Sequence, residues 1–274
     1  MVDYLVAEHG LSYRRSCNAL DLSRLVYRYQ PAHKNDEEVI TALLGLTERY
    51  PRYGFKKLFI KVRQMGHMWN HKKVYRVYRM LSLTMRRKAK RRLPSRQPQP
   101  LTVAIIPNQT WSVDFMSDAL ICGRRFRTFN VIDDFNREAL GIEIDLSLPT
   151  KRIVRTLDNI ALIRGYPLRL RLDNGPELVS LALADWAEEH GVTLDFIQPG
   201  KPTQNSYVER FNRTYREEVL DFHIFNDLDE VLEITGNWLD QYNKERPHQS
   251  LNNMTPLEYK LTVKNAENYD SKWY

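Results

Sequence analysis

Cysteine is nearly absent from this 274-residue chain: only Cys17 and Cys122 occur, far apart in sequence. Two such residues build neither a disulfide framework nor a cysteine-rich zinc site, and both read as buried or incidental thiols. No apolar run is long enough to span a bilayer, and Met1 to Glu8 carries Asp3 and Glu8 where a secretory pattern would need an apolar stretch. A cytoplasmic protein with no membrane partner is therefore expected. Acidic residues are also scarce between Met1 and Pro100, where 7 Asp and Glu face 22 Lys and Arg. The rest of the chain reverses the balance, with 27 acids against 19 bases. The net charge of +7 thus hides a strongly basic arm on a mildly acidic body. Such a division suits a protein that grips phosphates with one part and holds cations with the other. The length exceeds that of one average domain, so two or three domains are expected.

The basic arm reads as helices. Tyr4 to Tyr29 forms two short helices around a Leu20-Asp21-Leu22 turn, with Gly10 ending the first segment and Ser12 and Ser23 placed as N-caps. The second would present Arg24 and Arg28 on one face and pack through Leu25, Val26 and Tyr29. Residues 1–30 are then either a helix-turn-helix-like DNA-binding segment or an ordinary helical hairpin. Residues 36–85 form a three-helix module: Glu37 to Tyr50 stopped by Pro51, a second helix from Tyr53-Gly54-Phe55 to Met65 ended by Gly66, and a third from His71 to Leu81 capped by Asn70. The third carries Lys72, Lys73, Arg76 and Arg79 on exposed positions over a core side of Val74, Val77, Tyr78 and Leu81, which makes it a DNA-reading helix or a solvated basic face. His67 and His71 straddle a helix boundary with no cysteine pair following, which argues against zinc. Residues 86–106 are a basic, proline-containing linker beginning Arg86-Arg87-Lys88, suited to gripping phosphates without regard to sequence.

Beyond Pro107 the texture changes to strands at Thr110–Phe115, Arg125–Asp133 and Gly141–Leu146. A helix at Thr150–Arg164, a strand at Arg169–Leu172, a helix at Glu177–His190 and a strand at Thr193–Ile197 follow. This order predicts an α/β fold, a mixed sheet flanked by helices, at whose strand ends functional residues collect. Ser206 to Leu220 is helical by period, with Val208, Phe211, Tyr215 and Val219 on its apolar face. Glu209 lies off that stripe, on a polar side with Asn205, Asn212, Arg213 and Arg216. A later helix, Leu228 to Tyr242, precedes a basic loop from Asn243 to Ser250. Asp114 in the first strand, Asp173 at the end of the fourth and Glu209 are three acids whose assembly would require divalent cations to offset their repulsion. Between Asp173 and Glu209 lie 35 residues, room for a short helix, a strand and a loop.

Four motifs occur in order: Trp111-Ser-Val-Asp114-Phe, Leu172-Asp173-Asn-Gly175, Gln198-Pro-Gly-Lys-Pro-Thr-Gln-Asn205 and Glu209-Arg-Phe-Asn212. With Tyr242-Asn243-Lys-Glu-Arg246-Pro247-His248 and Thr255-Pro256 behind them, the chain resembles the second-reading-frame (OrfB) transposases of the IS-three family of insertion sequences over essentially its whole length. The resemblance implies an RNase H-like core at residues 107–220 with a helical extension at 221–274, and an Asp-Asp-Glu triad at Asp114, Asp173 and Glu209. It implies that these acids hold two Mg²⁺ or Mn²⁺ ions for strand cleavage and strand transfer by in-line displacement at phosphorus. The expected partners are double-stranded DNA (terminal inverted repeats and target), further copies of the chain on that DNA, and the first-reading-frame protein or a frameshift fusion with it. The expected location is the bacterial cytoplasm, on the nucleoid. Lys201, Arg213 and Arg216, with Arg210, are placed to contact DNA near the scissile bond or to form a solvated face. A non-catalytic repressor of transposition and a structure-selective nuclease are the alternatives. Asp118, Asp133, Asp134, Glu177 and Asp195 are the rival acids, of which Asp133-Asp134 reads as a turn cap and Glu177 as a first-turn helix residue. Trp111, Trp186 and Trp238 read as core.

Overall fold

The computed structural model describes residues 1–29, 35–85, 104–175, 177–198 and 202–270. Arg86, Arg87, Lys88 and Lys201, and most of the linker, lie outside them. Helix α1 (Val2–His9) ends on Gly10, whose φ of 60° is the left-handed conformation that a glycine adopts without strain. Helix α2 (Tyr13–Ala19) starts where the Ser12 hydroxyl accepts from the Arg15 amide. The expected recognition helix does not form. Its place is taken by α3 (Arg24–Tyr27), one turn long, with Arg28 already at its C-cap. Leu25, Val26 and Tyr29, expected to pack, are exposed instead. A single turn offers a much shorter face than the helix expected there.

The three-helix module forms: α4 (Glu37–Arg49), α5 (Phe55–Gln64) and α6 (His71–Met80), of which only α6 starts with a side-chain cap, Asn70 at 2.8 Å from the Lys72 amide. Val39, Leu43, Leu58, Val62, Val74 and Val77 close its core completely. His67 stacks on Trp69 and His71 sits edge-on to Phe55 and Phe59, so both imidazoles serve aromatic packing.

Five strands make one sheet in the order β3-β2-β1-β4-β5. Strands β1 (Thr110–Ala119), β2 (Arg125–Asp133) and β3 (Ala139–Asp145) form an antiparallel meander; β4 (Arg169–Leu172) and β5 (Thr193–Phe196) add in parallel beside β1. Side chains alternate across the sheet. Trp111, Val113, Phe129 and Val131 face one layer, α7 (Thr150–Arg164) and α8 (Leu181–Glu189). Phe126, Ile132 and Ile144 face the other, α9 (Ser206–Tyr215) and α10 (Leu228–Lys244). Trp111, Trp186 and Trp238 are all core.

Several elements differ from expectation: β1 runs on to Ala119, β3 spans Ala139–Asp145 and α10 reaches Lys244. Helix α8 begins at Leu181 because the Ser180 hydroxyl caps it, which leaves Glu177 in the preceding turn and not in a helical first turn. Past Tyr215 the helix widens into a π turn, Arg216–Leu220, where the Asp221 amide reaches back to the Arg216 carbonyl. A further helix, α11 (Pro256–Asp270), follows α10. Among the described residues no helix is long and apolar enough to cross a membrane.

One buried ion pair ties the sheet together beneath the site. Arg171 on β4 bonds Asp134 at 2.7 Å and Asp195 at 3.3 Å, and the Ser112 hydroxyl donates to Asp134 at 2.6 Å. Burial pushes Asp134 up to about 6 despite these partners. An Arg171→Met protein should lose about 3 kcal/mol in urea unfolding at pH 8, because one partner of a buried pair is stranded. The loss should shrink at pH 5, where Asp134 relieves itself by protonation. Equal stability of variant and wild type at pH 8 would refute the role assigned to this pair.

Candidate active site

Asp114 lies midway along β1, opposite Asn130 on β2, and its even position turns it to the α9 face of the sheet. The parallel register that sets Thr110, Trp111 and Ser112 beside Arg169, Leu170 and Arg171, continued along the strands, brings Asp114 level with Asp173. Asp173 opens the loop after β4 and accepts from the Gly175 amide at 3.0 Å, an Asx turn. Asn174 holds the same loop to the end of β5 through the Ile197 carbonyl at 2.9 Å. Glu209 stands exposed in the first turn of α9, where the helix dipole favours a carboxylate.

Helix α9 is positioned by two asparagines. Asn205 donates to the Val113 carbonyl at 3.1 Å, and Asn212 donates to Asp114 Oδ2 at 2.8 Å while accepting from Asn130 at 2.7 Å. Both are buried, not on an exposed polar side as the helical period suggests. The apolar stripe of Val208, Phe211, Tyr215 and Val219 packs fully, as its spacing requires. Sequence reasoning missed the asparagine anchor; the signal was the placement of Asn212 one turn after Glu209.

The three acids share one electrostatic environment. Burial pushes the Asp114 carboxyl up to about 6, and the charges of Asp173 and Glu209 push it the same way, against hydrogen bonds from the Phe115 amide and Asn212. Among the described residues no cationic side chain pairs with any of the three. Each rival acid, in contrast, is spoken for. Asp118 pairs with Arg216 at 3.0 Å, Asp134 and Asp195 with Arg171, and Glu177 with Arg127. Asp133 caps its turn by accepting from the Asn108 and Phe135 amides, each at 2.9 Å. An all-oxygen set of three carboxylates without cationic partners fits a hard divalent cation, which would offset the burial and the repulsion that raise Asp114. Among the described residues no three His, Cys, Asp or Glu side chains stand at ion-holding distance.

The expected DNA contacts divide. Arg24, Arg28, Lys72, Arg79 and Arg213 are exposed. Arg76 is committed to a bidentate pair with Asp36, both bonds 2.8 Å, and Lys73 to the Asn35 carbonyl at 2.9 Å. Arg216, partly exposed, is engaged by Asp118 at 3.0 Å and the Ser117 carbonyl at 2.8 Å.

Models of the integrase core domain match residues 105–202 and 190–256. The chain is 41% identical to a 31.7 kDa protein of insertion element IS407 from Burkholderia multivorans, over 91% of each chain. It is 23% identical to the transposase InsD for insertion element IS2D from Escherichia coli, over 83% of this chain and 79% of that one. Among solved structures, a chain of the simian T-cell lymphotropic virus intasome complex superposes with a TM-score of 0.52 at 14% identity, covering 80% of this chain and 74% of that one. This last likeness concerns the fold, an RNase H-like mixed sheet with flanking helices.

A carboxyl held above its ordinary value destabilises the folded, metal-free protein wherever it is ionised. Asp114→Asn should therefore raise stability at pH 8 by about 1–3 kcal/mol. The gain should fade as the pH drops through about 6. It should vanish near the unfolded value of about 3.9. Thermal unfolding in chelator across this range checks it; a gain independent of pH would contradict the electrostatic account.

Proposed function

Because the chain belongs to the insertion-element transposases with an integrase-type DDE core, we propose that Asp114, Asp173 and Glu209 are its catalytic and metal-holding carboxylates. The protein is a DNA transposase, a polynucleotidyl transferase of the DDE type. The observation that carries the assignment is the sparing of these three acids: Asp118, Asp134, Asp195 and Glu177 each pair with an arginine, while among the described residues no cationic side chain pairs with Asp114, Asp173 or Glu209.

Two Mg²⁺ or Mn²⁺ ions, when bound, would supply charge neutralisation at the attacking and leaving oxygens of an in-line displacement at phosphorus. Asn212 keeps Asp114 Oδ2 facing α9, so one ligand is oriented before substrate arrives. The Asp173-Asn174-Gly175 loop sets the second and α9 the third. In the first reaction water attacks the phosphodiester at the element end: a new P–O bond forms, the P–O3′ bond breaks, and the 3′ oxygen leaves as a hydroxyl, taking up a proton. In the second that 3′ hydroxyl attacks another phosphodiester, loses its proton, and releases a new 3′ hydroxyl. Each step exchanges one phosphodiester P–O bond for another P–O bond, so no external energy source is needed.

On this reading the helical segments at 1–30 and 36–85 and the linker at 86–106 bind the DNA ends, through Arg24, Arg28, Lys72, Arg79, Arg86, Arg87 and Lys88. The core at 107–220, extended by 221–274, performs the chemistry, with Lys201 and Arg213 beside the scissile bond. The chain works as an oligomer holding two terminal repeats, with the first-reading-frame protein or a fusion to it as partner, on the bacterial nucleoid.

A labelled duplex carrying a terminal inverted repeat, incubated with protein and Mg²⁺, should be cut and then joined to a second duplex. Asp114→Ala, Asp173→Ala and Glu209→Ala should each lower both steps by at least about a thousandfold while DNA binding persists. Binding without cleavage by wild type would favour a repressor, cleavage without joining a nuclease, and full activity in any variant would remove that residue from the triad. A Cβ at Gly175 would meet Asp173 Oδ1 at 3.0 Å. Gly175→Ala should accordingly misplace that carboxylate and slow cleavage by about 10- to 100-fold with little change in DNA affinity.

A further inference from the structure

A second charged site lies beside α9, against the end of β2 and the turn that follows it. A cavity of about 540 Å³ is enclosed by α5, the turn between β2 and β3, α9, the end of α10 and the loop after it. Lys57, Arg137, Arg210, Arg246 and His248 line it, with the ring of Tyr207. Of the cations only Arg246 has a carboxylate partner, Glu218 at 2.9 Å; among the described residues Lys57, Arg137 and Arg210 have none within ion-pair distance. The Arg137 guanidinium lies over the Tyr207 ring, 3.5 Å from its centroid. Arg137 Nη1 and His248 Nε2 are both shielded from solvent and without a hydrogen-bond partner.

Shielded polar atoms left unpaired cost the fold free energy, and like charges gathered in one concavity cost more. The strain registers on Lys57, which burial and then the neighbouring Arg246 and Arg210 drive down to about 7, with Glu218 opposing. Such an arrangement is relieved by an anion with several acceptor oxygens, since Arg, Lys and His then donate to different oxygens of one group. The volume lies within the range of sites that take small organic groups, and it admits a phosphate with its attached sugar. Glu209 and Arg210 are consecutive in α9, so one helix turns the first towards the triad and the second towards the cavity.

We propose that this cavity is a phosphate site that seats one backbone phosphate of the DNA strand, beside the reacting centre and separate from it. The DNA source rests on the transposase reading; the anion chemistry does not. The test uses the full chain in metal-free buffer, so that it is independent of cleavage. Inorganic phosphate should bind saturably by calorimetry and raise the thermal midpoint. Arg137→Gln and His248→Gln should weaken that binding at least about tenfold by removing a charge-assisted or buried donor. Arg210→Gln, at an exposed position that cannot disturb the core, should weaken it about threefold. Each variant should also bind duplex DNA more weakly, and Arg137→Gln and Arg210→Gln should flatten the slope of log affinity against log salt by about one.

No saturable phosphate binding, or binding indifferent to all three substitutions, would overturn the site. Phosphate binding with unchanged DNA affinity and salt slope would overturn the DNA assignment and make the site one for free phosphate. Wild type that binds phosphate here yet never cuts a duplex with Mg²⁺ would sink the triad reading alone, so the two failures are distinguishable.

Discussion

Asn212 reaches from α9 to two strands at once, accepting from Asn130 on β2 and donating to Asp114 on β1. That pair of bonds makes the arrangement of the site possible, because it fixes the helix bearing one acid against the strand bearing another. A carboxylate on a half-buried sheet face is unfavourable, and two more acids nearby deepen the penalty. An amide can orient a carboxylate without neutralising it. An arginine at this position would have made a stable ion pair and filled the place that the proposed function gives to a cation. The choice of asparagine thus separates positioning from charge compensation, and leaves the latter, in the proposed function, to a bound divalent cation.

The same logic governs the rest of the core's charges. Arg171, Arg127 and Arg216 each take up acids that could otherwise compete for a cation, and all three lie within the catalytic half. Their pairing has a structural benefit as well. Arg171 links β4 to the end of β2 and to β5, so the strand that delivers Asp173 cannot shift without breaking a buried ion pair. The π turn at Arg216–Leu220 contributes on the other side: Arg216 faces Asp118, while Glu218 receives Trp238 and Arg246.

Much of this was legible from local pattern. Ser12 and Asn70 announce helix starts because a side-chain oxygen beside an unpaired amide is a local event. The Val208, Phe211, Tyr215 and Val219 stripe gives the inner face of α9 for the same reason. The triad was an expectation from motif order and resemblance; the register of β1 with β4, continued past its paired residues, sets Asp114 level with Asp173. What stayed hidden was pairing over long separations. Asn212 reads as a surface amide, and its partner Asn130 is 82 residues away. Arg216 reads as a free cation until Asp118, 98 residues distant, folds beside it. Leu25 and Val26 show the converse: apolar residues predict a buried face only where something folds back to cover it, and in the described chain nothing does.

The seam between the basic module and the core follows from one residue that no pattern singled out. Glu245, just past α10, receives Arg49 at 3.2 Å, Lys61 at 3.5 Å and the Tyr50 hydroxyl, so three groups of the helical module close on a single carboxylate. Burial and that bond push the Tyr50 phenol up to about 12, so the contact stays intact across physiological pH. Next to Glu245 in sequence, Arg246 turns inward to Glu218 and the rings of Tyr53 and Tyr242. The end of α10 therefore faces the module with an acid and the core with a base. That alternation creates the seam and brings Lys57 of α5 into the same cavity as Arg137 and His248. The seam has a mechanical consequence for the proposed function: a strand gripped by the helical module would be held in a set relation to α9, hence to Glu209. Attack at phosphorus needs the reacting atoms placed to within about an ångström, and a loosely tethered basic arm would not supply that placement.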